Sequence, residues 1–183
     1  MELIDVIDEN NNLIGKIEDK DVVHGTGMWH REISVWIMNR KGEILLQKRA
    51  MSKKQHPGKW SIVAGHIQAG ETPLAGAKRE TKEEVGIDVP EEKFEAMVCE
   101  KKECAFPNVQ QYNKYYDYVY FLLVDYKIEE YVIQIEELSE VKYVTIEEFI
   151  KELKEKNEKY TYKYEELKET IQKLIEKRKE LEK

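Results

Sequence analysis

Three glutamates, Glu80, Glu83 and Glu84, crowd into five positions of the stretch GHIQAGETPLAGAKRETKEEVGI, residues 65–87. On a helix turning about 100° per residue, such i, i+3 and i+4 positions share one face. Two carboxylates about 4 Å apart repel by about 4 kcal/mol even at an effective dielectric of about 20. A hard divalent cation reverses that repulsion and takes oxygen ligands, which points to Mg²⁺ or Mn²⁺. Arg79, four residues before Glu83, is placed to hold one of the carboxylates. A solvated Glu/Lys helix has a similar composition, and the chain carries one near its end. That simpler reading leaves the glycine-bearing loop AGHIQAGE in front of the helix without a purpose.

The elements that would position these groups can be read from their ends. Thr72 suits an N-cap, Pro73 the first helical position and Gly86 the C-cap. Leu74, Ala77, Thr81 and Val85 fall about a quarter turn from the glutamates, so that side can be buried while the carboxylates face a cleft. Before the helix, ELIDVIDENNNLIGKIEDKDVV reads as two short strands around a turn, and HGTGMW as a glycine-broken link. REISVWIMNRKGEILLQKRA reads as a hairpin of two strands, MSKKQHPGKW as a loop and SIVAGH as a short strand. After the helix, KFEAMVCEKKE and YYDYVYFLLVDY read as strands flanking a loop, CAFPNVQQYN. EVKYV is a last strand, and TIEEFIKELKEK a helix with Ile146, Phe149, Ile150 and Leu153 inward. From Tyr160 onward a charged helical tail carries Tyr160, Tyr164, Leu167, Ile171, Leu174, Arg178 and Leu181 at heptad spacing. Three heptads with an arginine in the seam favour packing back onto the domain over a coiled coil. Strands on both sides of an internal helix imply a mixed sheet between helical layers.

Composition narrows the function classes. The chain has 183 residues, 37 acidic against 30 basic and a net charge of −7, enough for one domain with a core. It carries no broad basic patch for duplex nucleic acid. No apolar run approaches the roughly 20 residues of a membrane span, and MELIDVIDEN lacks the character of a signal peptide. Cys99 and Cys104 fit neither a disulfide framework nor a zinc site, which leaves reduced thiols and a cytoplasmic setting as the expectation.

The stretch from Gly65 resembles the Nudix box, G-x5-E-x7-R-E-U-x-E-E-x-G-U with U a bulky aliphatic residue. Gly65, Glu71, Arg79, Glu80, Glu83, Glu84, Gly86 and Ile87 match, and Thr81 at the first U is the one departure. The resemblance extends through ILLQKR and PGKW before the box and EELSEVKYVTIEEF after it. It implies an α/β fold, a Nudix-type α/β/α sandwich with a mixed β-sheet, with an N-terminal hairpin and a C-terminal helical tail added. One domain over 1–183 is expected, its core at about 29–155, its β extension at 1–28 and its last helix at about 160–183. The implied activity is metal-dependent hydrolysis of a diphosphate linkage in a nucleoside-diphosphate-type substrate by a monomer or homodimer, with Mg²⁺ or Mn²⁺ as cofactor. Glu80 and Glu84, with the Ala64 carbonyl, would hold the metal, and Glu83 would bind it directly or through water. Gly65, Glu71, Arg79 and Gly86 would shape the loop and helix. Glu137, outside the box, is the candidate base beside Glu83.

Within that family, WHREISVWIMNRKGEILLQKRAMSKKQHPGKWSIVAGH is similar to the isopentenyl-diphosphate isomerase branch. The isomerases place a proton-exchanging cysteine before the Gly-His pair, and here Ala64 stands there. They also bind a metal through histidines, and His24, His30 and His66 fall near the corresponding places. Hydrolysis is therefore the expected reaction, with isomerisation and a non-catalytic binding module as alternatives. The complete set of box glutamates speaks against the last. Lys48, Arg49, Lys53 and Lys54 could meet phosphate oxygens. Of the tyrosines at 112, 115, 116, 118 and 120, alternation puts Tyr116, Tyr118 and Tyr120 on one face, and Tyr118 is the candidate to stack on a base.

Overall fold

The computed structural model describes residues 1–182, the side chains of Val109 and Asn157 excepted. Strands β1 (Leu3–Ile7) and β2 (Leu13–Asp19) pair antiparallel around a turn. Asp8 Oδ1 closes that turn by accepting from the backbone N–H groups of Asn10 and Asn12. The next residues depart from expectation. Lys20–Thr26 form a short helix, α1, rather than the end of a strand and a link. Asp19 caps it by accepting from Asp21 N, and Gly27 ends it at φ 69°.

The remaining strands are β3 (Trp29–Met38), β4 (Glu43–Arg49), β5 (Trp60–Ser61), β6 (Val63–His66), β7 (Phe94–Phe106), β8 (Gln111–Leu123) and β9 (Leu138–Thr145). Strand β3 organises them. One of its edges takes β8, parallel, over all ten residues from Trp29 to Met38. Its other edge is divided: β1 meets it at Trp29, β6 over Glu32–Val35 and β4 only at Met38. The expected β3–β4 hairpin is thus paired only beside its turn. Strand β4 then leaves to pair with β9 and β5. The segment read as one strand, SIVAGH, is broken for the same reason. Ser61 pairs with Gln47 of β4 while Val63 pairs with Val35 of β3, so the chain changes partner at Ile62. The expected loop CAFPNVQQYN is largely strand, because β7 and β8 stay paired from Phe94↔Leu122 to Phe106↔Gln111, with one register shift between Ala96 and Val98, and only Pro107–Val109 turn.

Alternation along β3 sends side chains into two cores. Ile33, Val35 and Ile37 join Ala77 and Val85 of helix α2 (Pro73–Val85). Trp36 and Met38 join Phe149 and Leu153 of helix α3 (Ile146–Glu155), with Ile171 and Leu174 of helix α4 (Lys168–Leu181). The mixed sheet therefore lies between helical layers, as expected. Phe149 meets Trp36 and Tyr160 edge-on at 5.6 and 5.5 Å, a packing whose loss to alanine costs about 3–5 kcal/mol. The tail packs back on the domain, but it is α-helical only from Lys168, after a 3-10 turn at Tyr164–Leu167. Tyr160 instead forms a parallel bridge with Trp60, and Thr161 N donates to Trp60 O at 3.0 Å. Arg178, in the seam, lies over Gly42 and pairs with Glu147.

Candidate active site

Helix α2 starts and stops as its residues require. Thr72 Oγ1 accepts from Ala75 N at 3.2 Å, Pro73 opens the first turn, and Gly86 closes it at φ 75°. Its side turned to the cleft carries Glu80, Glu83 and Glu84, and Arg79 gathers the first two together with Glu71. The guanidinium donates to both oxygens of Glu71 at 3.0 Å, to Glu80 at 2.7 Å and to Glu83 at 3.1 Å. Its remaining reach goes to the carbonyl of His66 at 2.8 Å, which ties the end of β6 to the helix. Five bonds from one planar fork fix that side chain as no flexible lysine could.

Glu84 is different. It is 6 % exposed, and its Oε2 accepts from Gln47 Nε2 at 2.8 Å and from Ala64 N at 3.2 Å. Both donors are neutral. Burial and then the neighbouring charge of Glu80 push its carboxyl up to about 8. Glu80 is also raised, by burial first, even with Arg79 beside it. Gly65 is what lets Glu80 sit there: a Cβ at that position would fall on the Glu80 carboxyl. Two crowded, desolvated carboxylates offering oxygen donors fit a hard cation, and the site lines a cavity of about 690 Å³.

A second constellation borders the same cavity through His24, Glu32 and His66, with His30 fully buried. His24 from α1, His30 and Glu32 from β3, and His66 from β6 bring one donor atom each within 4.8 Å of the others. His66 Nε2 lies 3.1 Å from His24 Nε2 and 3.6 Å from Glu32 Oε1, while Nδ1 lies 3.4 Å from Glu2. Asn113 from β8 donates to Glu32 at 2.8 Å. Burial first, then the charges of His66 and His30, holds His24 down at about 4. The set could hold a metal ion of its own. The sequence pointed to its three histidines, whereas Glu32 and Glu2, which pairs with Lys20 at 2.5 Å, carried no local signal, since β1, β3 and β6 must pair before they meet.

Of the residues singled out beyond the box, Arg49, Lys53 and Glu137 line the cavity with Glu80, Glu83 and Glu84. Lys53 and Glu137 pair with each other. Lys48 and Tyr118 line neither this cavity nor the adjoining one. Alternation turns Lys48 away from Arg49, toward Glu140 at 3.6 Å and over the Trp60 ring. Tyr118 packs toward the α2 core and accepts from Asn11 Nδ2 at 2.8 Å. Of the β8 tyrosines, Tyr115, on the opposite face of the strand, lines the adjoining cavity, of about 850 Å³. Gln47 escaped notice because a glutamine in a strand reads as ordinary surface.

The NUDIX domain model matches residues 28–164. The chain is 36% identical over 152 residues to Nudix hydrolase 3 of Arabidopsis thaliana, covering 81% of this chain but only 20% of that protein. It is 33% identical over 147 residues to Isopentenyl-diphosphate Delta-isomerase 2 of Photorhabdus laumondii, covering 79% and 78% of the two. In fold it is similar to the crystal structure of DR0079 from Deinococcus radiodurans, with a TM-score of 0.66 at 20% identity over 85% of this chain and 90% of that one.

Proposed function

The chain belongs to the Nudix family, and from that premise we propose that it hydrolyses the diphosphate linkage of a nucleoside-diphosphate-type substrate. The observation that carries this reading is Glu84, buried beside Glu80 and hydrogen-bonded only to neutral donors. Glu80, Glu84 and the Ala64 peptide would hold Mg²⁺ or Mn²⁺, with Glu83 on the more exposed side. Such an ion spreads phosphate charge and acidifies water at neutral pH. The protein's own groups do the rest. Arg79 and Glu71 keep the glutamates in one arrangement, so little reorganisation remains when charge develops. Arg49 and Lys53 line the cavity as donors for phosphate oxygens. Glu137 is the group assigned to take the proton of the attacking water.

Isomerisation of a prenyl diphosphate is the second reading, favoured by the His24–His30–Glu32–His66 cluster. It is the weaker one, because moving a double bond needs proton exchange at carbon and Ala64 offers only a methyl group. The test is a panel of diphosphate compounds incubated with Mg²⁺ and with Mn²⁺, products identified by mass. Metal-dependent release of a monophosphate is expected. Conversion of isopentenyl to dimethylallyl diphosphate, with no hydrolysis in the panel, would overturn the proposal.

A further inference from the structure

The loop between Gly65 and Glu71 is held from two sides. From within, Gln68 N donates to Glu71 Oε2 at 3.0 Å and Glu71 N to the Gln68 carbonyl at 2.9 Å, while Arg79 donates to the same carboxylate. From outside comes strand β1, which lies wholly before residue 28, where the NUDIX match begins. Ala69 N donates to the Leu3 carbonyl at 2.9 Å, and Ile4 forms an antiparallel bridge with Gln68. Gly70 N donates to Asp5 Oδ2 at 2.8 Å. The strand that makes these contacts has its own anchor, since Ile4 and Val6 are buried against Val23 of α1.

The three contacts differ in kind. Those at Leu3 and Ile4 are made by the backbone and form whatever side chains β1 carries. The one at Asp5 depends on its carboxylate, and a charged acceptor makes a bond roughly twice as strong as a neutral one. Gly70 is the peptide that needs it. It turns at φ 78°, with nothing within 4 Å of where a Cβ would stand, so no packing holds it in place. The next residue is Glu71, both of whose oxygens accept from Arg79, and Arg79 in turn donates to Glu80 at 2.7 Å. Two side chains therefore separate the Gly70 peptide from a carboxylate of the candidate active site.

We propose that Asp5 is a positioning residue: from outside the matched domain it fixes the Gly70 peptide, and through Glu71 and Arg79 it fixes the carboxyl of Glu80. The inference rests on the proposed hydrolase reading for the reaction it serves. A displacement near 1 Å at a catalytic group costs up to about 100-fold, and a drift shared along two side chains should cost less, about tenfold in kcat.

The test compares Asp5→Ala, Asp5→Asn and Asp8→Ala in the full chain. Asp5→Asn keeps an oxygen acceptor for Gly70. Asp8→Ala opens the turn of the same hairpin, where Asp8 accepts from Asn10 and Asn12, without touching the loop. Two readings need neither metal nor substrate: the exchange rates of the Gly70 amide proton and of the Arg79 Nε–H, followed by NMR. Both should rise severalfold in Asp5→Ala and stay near wild type in the other two. With Mg²⁺ and nucleoside diphosphates, Asp5→Ala should lower kcat about tenfold with a smaller change in KM, and Asp5→Asn should restore most of it. Asp8→Ala should lower the melting temperature and leave kcat alone. Faster exchange at Gly70 with none at Arg79 overturns the proposal, as does an unchanged kcat in Asp5→Ala. So does an equal loss in Asp8→Ala, which would mark a general loosening of the hairpin. If wild type hydrolyses no diphosphate, the hydrolase reading fails, and the two exchange rates still decide whether Asp5 holds Arg79 in place.

Discussion

Gln47 Nε2 stands 2.8 Å from Glu84 Oε2 and 2.9 Å from the carbonyl of Ile62, so one amide of β4 holds both the deepest carboxylate of α2 and the peptide at which the chain changes partner strand. This joint sets the position of Glu84 without a charged hydrogen-bond donor, and the proposed hydrolysis makes it dependent on a cation from outside.

The first expectation concerns that dependence. Glu84→Gln should fold normally, because burial already favours the neutral form of Glu84 at neutral pH. Its turnover at saturating Mg²⁺ should fall at least about 100-fold. Near-normal kcat in this variant would remove Glu84 from the ligand set.

Mg²⁺ or Mn²⁺ should raise the melting temperature, since an ion bound only by the native state at 100 times its Kd adds about 2.7 kcal/mol. Glu80→Gln should abolish most of the rise. Glu83→Gln should reduce it less, because that side chain is 52 % exposed against 12 % for Glu80. Equal losses from the two variants would contradict the unequal burial.

Gly65→Ala should leave melting within a few degrees and displace the Glu80 carboxyl. A displacement near 1 Å at a catalytic group costs up to about 100-fold. The measurement is kcat beside the metal-induced shift in melting; an unchanged pair would show that Glu80 can move aside without consequence.

Glu137→Gln separates proton transfer from metal binding. Turnover should drop about 100-fold or more, in the range of a lost general base, while the Mg²⁺-induced rise in melting temperature stays at its wild-type value. Loss of both together would place Glu137 among the ligands.

Acid stability should report Glu2. Burial opposes its ionisation, yet the hydrogen bonds and charges of His66 and Lys20 prevail and hold its carboxyl at about 2. A carboxyl depressed on folding contributes stability above its unfolded pKa, near 4.3, and loses it as pH falls toward 2. Wild type should therefore lose more stability than Glu2→Gln between about pH 4.5 and pH 2. Parallel curves through that window would mean the contact contributes nothing.

How far the site could be read in advance followed the range of the forces that build it. The ends of α2 were legible because Thr72, Pro73 and Gly86 act on their own neighbours. The bracing by Arg79 was legible because i, i+4 spacing is local. Helix α1 was missed although Asp19 and Gly27 cap it, since seven residues leave too short a pattern to outweigh the strand before it. The β3–β4 hairpin was overread: Arg40–Gly42 announce the turn, but nothing local says that β8 and β6 will claim β3, or that β9 will claim β4. Tyr115 was passed over for Tyr118 because alternation sorts side chains into two faces without saying which face meets the cavity.

The change of partner at Ile62 has a mechanical consequence. Ser61 is tied to β4 and Val63 to β3, so the gap between those two strands is spanned by a single residue with no slack. Any molecule that wedges the strands apart must pull on the Ile62 carbonyl, and Gln47 would then have to release either that carbonyl or Glu84. The spacing of β3 and β4 is in this way linked to the placing of Glu84 through one amide.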